Sequence, residues 1–401
     1  MVWRPIFILL WGMEKIEEKA CLCALNRIFG FSPKTGLALI SHTGSAADVF
    51  RLGSRELEEL LGPSSRHKGE ITWKAVEEAS DELARLESRS IGFTGWTEEE
   101  YPSLLHECED APVGLYVRSR TPMYELWKPC RRIAVVGTRD ITPYGREWCV
   151  RTVAGLSRSK EKPVIVSGLA LGTDFCAHKA ALESGLATIG VMATGPETVY
   201  PHRHREFAER LCETPGCALV TDYPPGTAPL AVHFLRRNRI IAGLSDSTIL
   251  IESKIKGGGM MTCRLAFSYS RDVYALPGRA DDLRSQGCNI LIRSKIAEPL
   301  TSVEDLTESL GLNRIGAKGR RSVRETVISE YGSRLSPEKA ELAINILSMI
   351  KEERGITIEE LAENTGMSYS MTANITAMLE TDGFVSIDLL QRCFIMIEKF
   401  R

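Results

Sequence analysis

"RRIAVVGTRDITPYGREW", residues 131–148, decides the fold. Four apolar residues, Ile133 to Val136, run straight into Gly137-Thr138-Arg139, and Thr142-Pro143 then opens a helical stretch. A short apolar run that stops at glycine before a helix reads as a buried strand entering the first unit of a parallel sheet. The backbone amides of such a turn suit a phosphate. The dinucleotide fingerprint G-x-G-x-x-G is absent, because Arg139 stands where a second glycine would let a pyrophosphate approach. The turn predicts an anion wrapped by a guanidinium rather than one pressed against bare backbone.

Working outward, five more apolar runs alternate with helical patterns: "PVIVSG" (163–168), "ATIGVMA" (187–193), "CALVTDY" (217–223), "STILIES" (247–253) and "DVYALPG" (272–278). This alternation predicts an α/β fold, a Rossmann-like, doubly wound and mainly parallel sheet. Ligands of such sheets bind at the C-terminal strand edge.

The loops on that edge share a character. The second run ends in Ser167-Gly168, and beyond it Asp174 and His178 stand four apart at a helix start, either an acid–base couple or a capping pair. The third leads to "TGPETVYPHRHREF" (194–207), where Arg203 and Arg205 alternate with His202 and His204 beside Tyr200. The two histidines lack a third ligand at short range, so a basic loop is expected there and no metal. The fourth leads to Phe234, Arg236, Arg237, Asn238 and Arg239. An aromatic face among guanidinium groups suits a single nucleic-acid strand, with a base stacked on the ring and cations along the phosphates; alternatively, Phe234 is core and the arginines form a solvated helix face. The fifth leads to Gly257, Gly258 and Gly259 ahead of another helix. No nucleophile–base pair and no Walker-type loop accompanies them. The constellation speaks for polyanion binding over catalysis, without a cofactor.

Charge agrees. The 401-residue chain carries a formal net charge of −2, yet from Arg131 to Glu298 there are 23 basic and 16 acidic residues, a balance of +7. The remaining 27 basic and 36 acidic residues give −9, so a polyanion is drawn to the middle of the chain. The eleven cysteines are scattered, without a C-x-x-C pair, and read as reduced thiols of a cytoplasmic protein. The N-terminal "VWRPIFILLWG" is too short to span a bilayer, and Met13 is a candidate start.

Four regions are expected. Residues 13–95 form a helical domain, broken at Gly30 and Ser32-Pro33 by "GFSPKTG", the outline of a helix-hairpin-helix, which also fits a plain helical packing unit. Residues 96–307 form the extended Rossmann-like domain and 308–335 a linker. Residues 336–401 read as three helices and a β ribbon, a winged helix. Between Ile356 and Gln391 this last region holds six acids and no Lys or Arg. A helix reading duplex DNA needs cations, so this domain is expected to bind protein or pack on its own chain.

Taken in order, "VVGTRDITPYG", "SGLALGTDFCAHKAAL", "YPHRHRE", "FLRRNRIIAGLS", "GGGMMT" and "ALPG…SQGCNILI" resemble the DNA-processing protein A (DprA/Smf) family over about 170 residues. The resemblance implies an N-terminal domain like a sterile-alpha-motif fold and a C-terminal winged helix. It implies a non-enzymatic single-stranded-DNA-binding protein of the cytoplasm that protects incoming DNA, loads the RecA recombinase in natural transformation and homologous recombination, and dimerises through the Rossmann-like domain, loosely near residues 279–300. It makes Arg139 the principal phosphate contact within Gly137-Thr138-Arg139 and Phe234 the stacking ring, with Arg237, Asn238 and Arg239 lining the same pocket. Ser167, Gly168, Gly258 and Gly259 would supply amides. The family usually carries Arg where Leu171 stands and Pro where Leu235 stands; the missing Arg at 171 would either weaken phosphate binding or shift it to Arg203 and Arg205. The competing reading is a Rossmann-like nucleotide-binding enzyme or sensor related to nucleotide-sugar hydrolases, for which Glu252 is the candidate acid. A third, a duplex-binding transcription regulator, has the winged helix for it and that domain's charge against it.

Overall fold

The computed structural model describes residues 4–312, 323–331, 334–352, 355–388 and 391–396. These divide into two compact units, with the division after Leu310.

A nine-stranded sheet organises the first unit. In chain order its strands are β1 (Ile91–Gly95), β2 (Gly114–Arg118), β3 (Arg132–Val136), β4 (Val164–Ser167), β5 (Thr188–Val191), β6 (Ala218–Thr221), β7 (Ser247–Leu250), β8 (Asp272–Ala275) and β9 (Glu298–Pro299). Their spatial order is β1-β2-β6-β5-β4-β3-β7-β8-β9. The pairings from β6 to β9 are parallel, while β1 and β2 add antiparallel to the β6 edge. The six runs read from the sequence are β3 to β8. Strand β3 is buried at every residue, which is why it is written without polar alternation. From β3 the chain winds outward through β4, β5 and β6, then returns to β7 on the other side of β3. That reversal puts a crevice beyond the C-terminal ends of β3 and β7, where open α/β sheets hold their ligands.

The flanks differ from the reading of the sequence. Ile91–Gly95, placed there in the helical domain, is a strand of the sheet. Its "IGFTG" carries glycine where neighbours press close: a Cβ on Gly95 would lie 2.5 Å from Leu22 Cδ1. Small residues demanded by packing erase the alternation that marks a strand. Helices Arg4–Phe29 and Trp73–Glu87 pack on β1, and Asn26 bridges to the sheet region, donating to the Asp222 carbonyl at 2.8 Å and accepting from the Gly114 amide at 3.1 Å. The break after Phe29 falls where Gly30 and Ser32-Pro33 put it, with Pro33 opening the next helix, Pro33–Thr43.

The second unit contains helices Val323–Tyr331, Pro337–Glu352, Ile358–Thr365 and Tyr369–Thr381 and the antiparallel pair β10 (Val385–Ile387) and β11 (Cys393–Ile395). Val323–Tyr331 lies in the expected linker, yet Val327 and Tyr331 are buried in this unit's core and the Tyr331 hydroxyl donates to Asp382 at 2.6 Å. Residues 313–322 of that linker lie outside the described residues. Among the described residues no helix is long and apolar enough to cross a membrane.

Candidate nucleic-acid interface

The Gly137-Thr138-Arg139 loop leaves β3 wedged between its neighbours. A Cβ on Gly137 would lie 2.5 Å from Thr173 Oγ1 and 2.9 Å from the Glu252 carbonyl, so only glycine fits. The Thr173 amide donates to the Thr138 carbonyl at 3.0 Å. Gly172, at φ +74°, brings the loop after β4 so close that a Cβ there would lie 2.3 Å from that same carbonyl. The turn's backbone is thus clamped from behind, and Arg139 projects from a fixed base, exposed.

The helix that follows, Pro143–Leu156, does not offer its N-terminus to a ligand. Glu252, buried at the end of the β7 segment, accepts from the Thr142 amide at 2.9 Å and from the Thr142 hydroxyl at 2.5 Å. Thr142 Oγ1 in turn accepts from the Gly145 amide at 3.1 Å. A carboxylate of the protein therefore sits at this helix end, bonded to the N-cap residue and favourably placed for the helix dipole, while Thr142 Oγ1 meets the helix amide. Gly145 makes room for it: a Cβ there would lie 2.5 Å from the Glu252 carboxyl carbon.

Arg139 turns instead to an aromatic ring. Its guanidinium carbon lies 5.1 Å from the centroid of Phe234, in the first half of helix Ala231–Gly243. Tyr200 meets the same ring edge-on at 5.4 Å and is itself exposed. Among the described residues Arg139 has no carboxylate within ion-pair reach. Its neighbour Asp140 is paired with Arg284, which also donates to the Asp140 carbonyl at 3.2 Å. Beside this cluster an open groove of about 540 Å³ is lined by Leu235, Lys256, Gly258, Met261 and Arg264.

Comparisons with known proteins bear on this arrangement. The family described as DNA recombination-mediator protein A matches residues 92–311, more than half of the chain. The chain belongs to that family. A winged helix-turn-helix DNA-binding family matches residues 340–386. The DNA processing protein DprA of Streptococcus pneumoniae is 38% identical over 206 residues, 51% of this chain and 70% of that protein. Protein Smf of Escherichia coli is 37% identical over 53% of this chain and 54% of its own. The chain thus spans about half to seven-tenths of these relatives. The crystal structure of the streptococcal protein superposes with a TM-score of 0.61 at 29% identity, covering 73% of this chain and 96% of that one.

The recombination-mediator motifs are not all surface. Of the three arginines in "FLRRNRIIAGLS", two are buried. Arg237 donates to the Gly168 carbonyl at 2.5 Å and to the Val191 carbonyl, and burial pulls its pKa down to about 10, against the opposing pull of Asp174. Arg239 pairs with buried Asp222 and donates to the Asp110 carbonyl at 2.6 Å. Neither can line a pocket as the family resemblance implied; they hold the strand ends beneath it. The Ser167 hydroxyl is buried and donates to the Val135 carbonyl at 2.6 Å. Gly168 is the space that Arg237 needs, with a Cβ there only 2.5 Å from its Nη atoms. Asn238 is buried and reaches the Gly258 carbonyl at 3.4 Å. Gly258 is exposed at the start of helix Gly258–Ser268, whereas Gly259 is buried against Gly137.

The remaining candidates separate as well. Among the described residues Arg203 is exposed without an ion pair, while Arg205 pairs with Glu209 at 2.9 Å. Buried His204 donates from Nδ1 to the Leu169 carbonyl, 2.9 Å away, and stacks on Phe175. Asp174 and His178 are no couple: Asp174 faces Arg237, and His178 meets the Thr188 hydroxyl at 2.7 Å. Among the described residues no cluster of ligands could hold a metal. Sequence reasoning noticed Tyr200 without giving it a role; its place beside Phe234 has no local signal.

Proposed function

We propose that this chain binds single-stranded DNA through the surface formed by Arg139, Phe234 and Tyr200, and acts by holding the strand rather than by chemistry. The observation that carries the reading is the Arg139–Phe234 pair: an exposed guanidinium, without a carboxylate partner among the described residues, seated over a half-buried ring. A base stacks on such a ring while the cation follows the phosphate. Exposed Arg203, Lys256 and Arg264 extend the positive surface on the same edge. The occupied N-terminus of helix Pro143–Leu156 speaks against the nucleotide-enzyme reading, because Glu252 is committed to capping and would repel a phosphate there.

The family supports a longer reading. In it the bound strand is protected and handed to the RecA recombinase during homologous recombination and natural transformation, with the chain acting as a homodimer in the cytoplasm. The first test is fluorescence anisotropy of a labelled oligo-dT at two salt concentrations. Arg139→Ala is expected to weaken binding about 10- to 150-fold, the equivalent of one charged hydrogen bond at ~1.5–3 kcal/mol. The dependence of log K on log salt should flatten by about 0.7, one phosphate contact. Binding that survives the substitution unchanged would remove Arg139 as the principal contact.

A further inference from the structure

The turn "GFSP" between the first two helices has no part in the site described so far, yet it carries a large exposed ring. Phe31 is 57% exposed although neighbours hold it in place. Arg236 lies over it with its guanidinium carbon 4.1 Å from the ring centroid, and donates to the Gly30 carbonyl. His233 and Tyr223 support the ring at 5.8 and 6.5 Å, and Tyr223 and His233 pack on each other at 4.4 Å. Arg236 is half-buried, and burial lowers its pKa. It forms no salt bridge among the described residues, and its Nη1 is buried without a hydrogen-bond acceptor. A desolvated cation without a counter-ion is costly unless something anionic completes it. A fixed, exposed aromatic ring is costly unless something covers it.

Arg236 sits on the helix that carries the proposed DNA contact, and Phe31 packs against it from the N-terminal turn. Phe234 and Arg236 are two residues apart on Ala231–Gly243, so at 100° per residue they leave it about 200° apart. One points to Arg139 and Tyr200, the other to the N-terminal turn. Exposed Leu230, Val232 and Leu235 lie on the surface of the same segment.

We propose that Phe31 and Arg236 form a second nucleotide subsite, contributed jointly by the N-terminal turn and helix Ala231–Gly243. An unpaired base covers the free face of Phe31, and its phosphate draws on the Arg236 charge. The strand then crosses the start of the helix, from Phe234 to Phe31. This rests on the single-stranded DNA reading, and its occupant is the same strand.

Oligo-dT of increasing length, titrated by anisotropy into the full chain, tests the subsite. Wild type and Phe31→Ala are expected to bind the shortest oligomers equally. On longer ones Phe31→Ala should weaken binding about 5- to 150-fold, the range for one lost base–aromatic stack, and Phe31→Trp should restore it. A bromodeoxyuridine oligomer should cross-link to the peptide holding Phe31 on irradiation. Equal affinity of Phe31→Ala and wild type at every length, while Arg139→Ala still weakens binding, would overturn the subsite alone. No binding of oligo-dT by wild type would overturn the underlying reading instead. Loss that Phe31→Trp fails to restore would also overturn the subsite, since stacking needs only an aromatic face.

Discussion

Arg139 and Arg237 carry the same guanidinium and do opposite jobs. Arg139 is solvated and its charge is free to meet a ligand; Arg237 is buried and its charge is spent on two carbonyls and on Asp174. Arg237→Leu leaves the buried Gly168 and Val191 carbonyls without their donor, a loss of about 1–3 kcal/mol for each buried group left unsatisfied. The melting temperature of Arg237→Leu should therefore fall by several degrees together with DNA affinity. That of Arg139→Ala should stay at the wild-type value. Equal melting temperatures for Arg237→Leu and wild type would show that Arg237 is not structural. His178 gives the same core a pH signature. Thr188 Oγ1 donates to the Ile165 carbonyl, so it accepts from His178 Nδ1, which leaves Nε2 buried and unpartnered. Burial lowers the pKa of His178 to about 3, and the nearby cations Arg237 and His204 add to the effect. The unfolded chain takes up that proton near 6.5, so stability is full above that value and lost as pH falls toward 3. At pH 5 the loss is about 2 kcal/mol, at 1.36 kcal/mol per unit. Melts at pH 7.5 and 5 should show a larger drop for wild type than for His178→Gln; equal drops would discount the group.

Whole elements show why some of the molecule was legible and some was not. Strands β3 to β8 announce themselves because burial on both faces forces continuous apolar runs. Strands β1 and β9 are the edges and β2 joins β1 to β6; all three are short or glycine-bearing, and their identity comes from the neighbours they pair with. The site divides in the same way. The Gly137 turn is visible because a tight backbone approach dictates glycine, and Phe234 is visible because an aromatic among arginines is unusual. Burial separates Arg237 and Arg239 from Arg236, and it depends on Asp222, Asp174 and carbonyls far along the chain. Glu252 stands out in the sequence only as an acid at a strand end. Its bond to the cap of helix Pro143–Leu156 joins residues 110 apart and requires β7 to lie beside β3. The helix thus serves as a rigid wall of the crevice rather than as an anion site.

At the scale of the molecule, the positive surface and the winged helix belong to different units. The first unit contains Arg139, Phe234, Phe31 and the basic loops; the second, after Leu310, contains a would-be recognition helix, Tyr369–Thr381, without a single Lys or Arg. Thr357 and Glu360 form a capping box on the preceding helix, and Arg392, just beyond the acidic stretch, is paired with Asp388. Met367, Tyr369 and Met396 are exposed in this unit, and the acids between Ile356 and Gln391 oppose a phosphate backbone. Salt dependence can tell which unit holds the strand, because each phosphate neutralised adds about 0.7 to the slope for single strands. A chain ending at residue 312 should bind oligo-dT with the same slope and nearly the same affinity as the full chain. If the second unit gripped DNA, its removal would lower the slope by at least one contact. A lower slope for the shortened chain, with its melting transition intact, would assign phosphate contacts to the winged helix in spite of its charge.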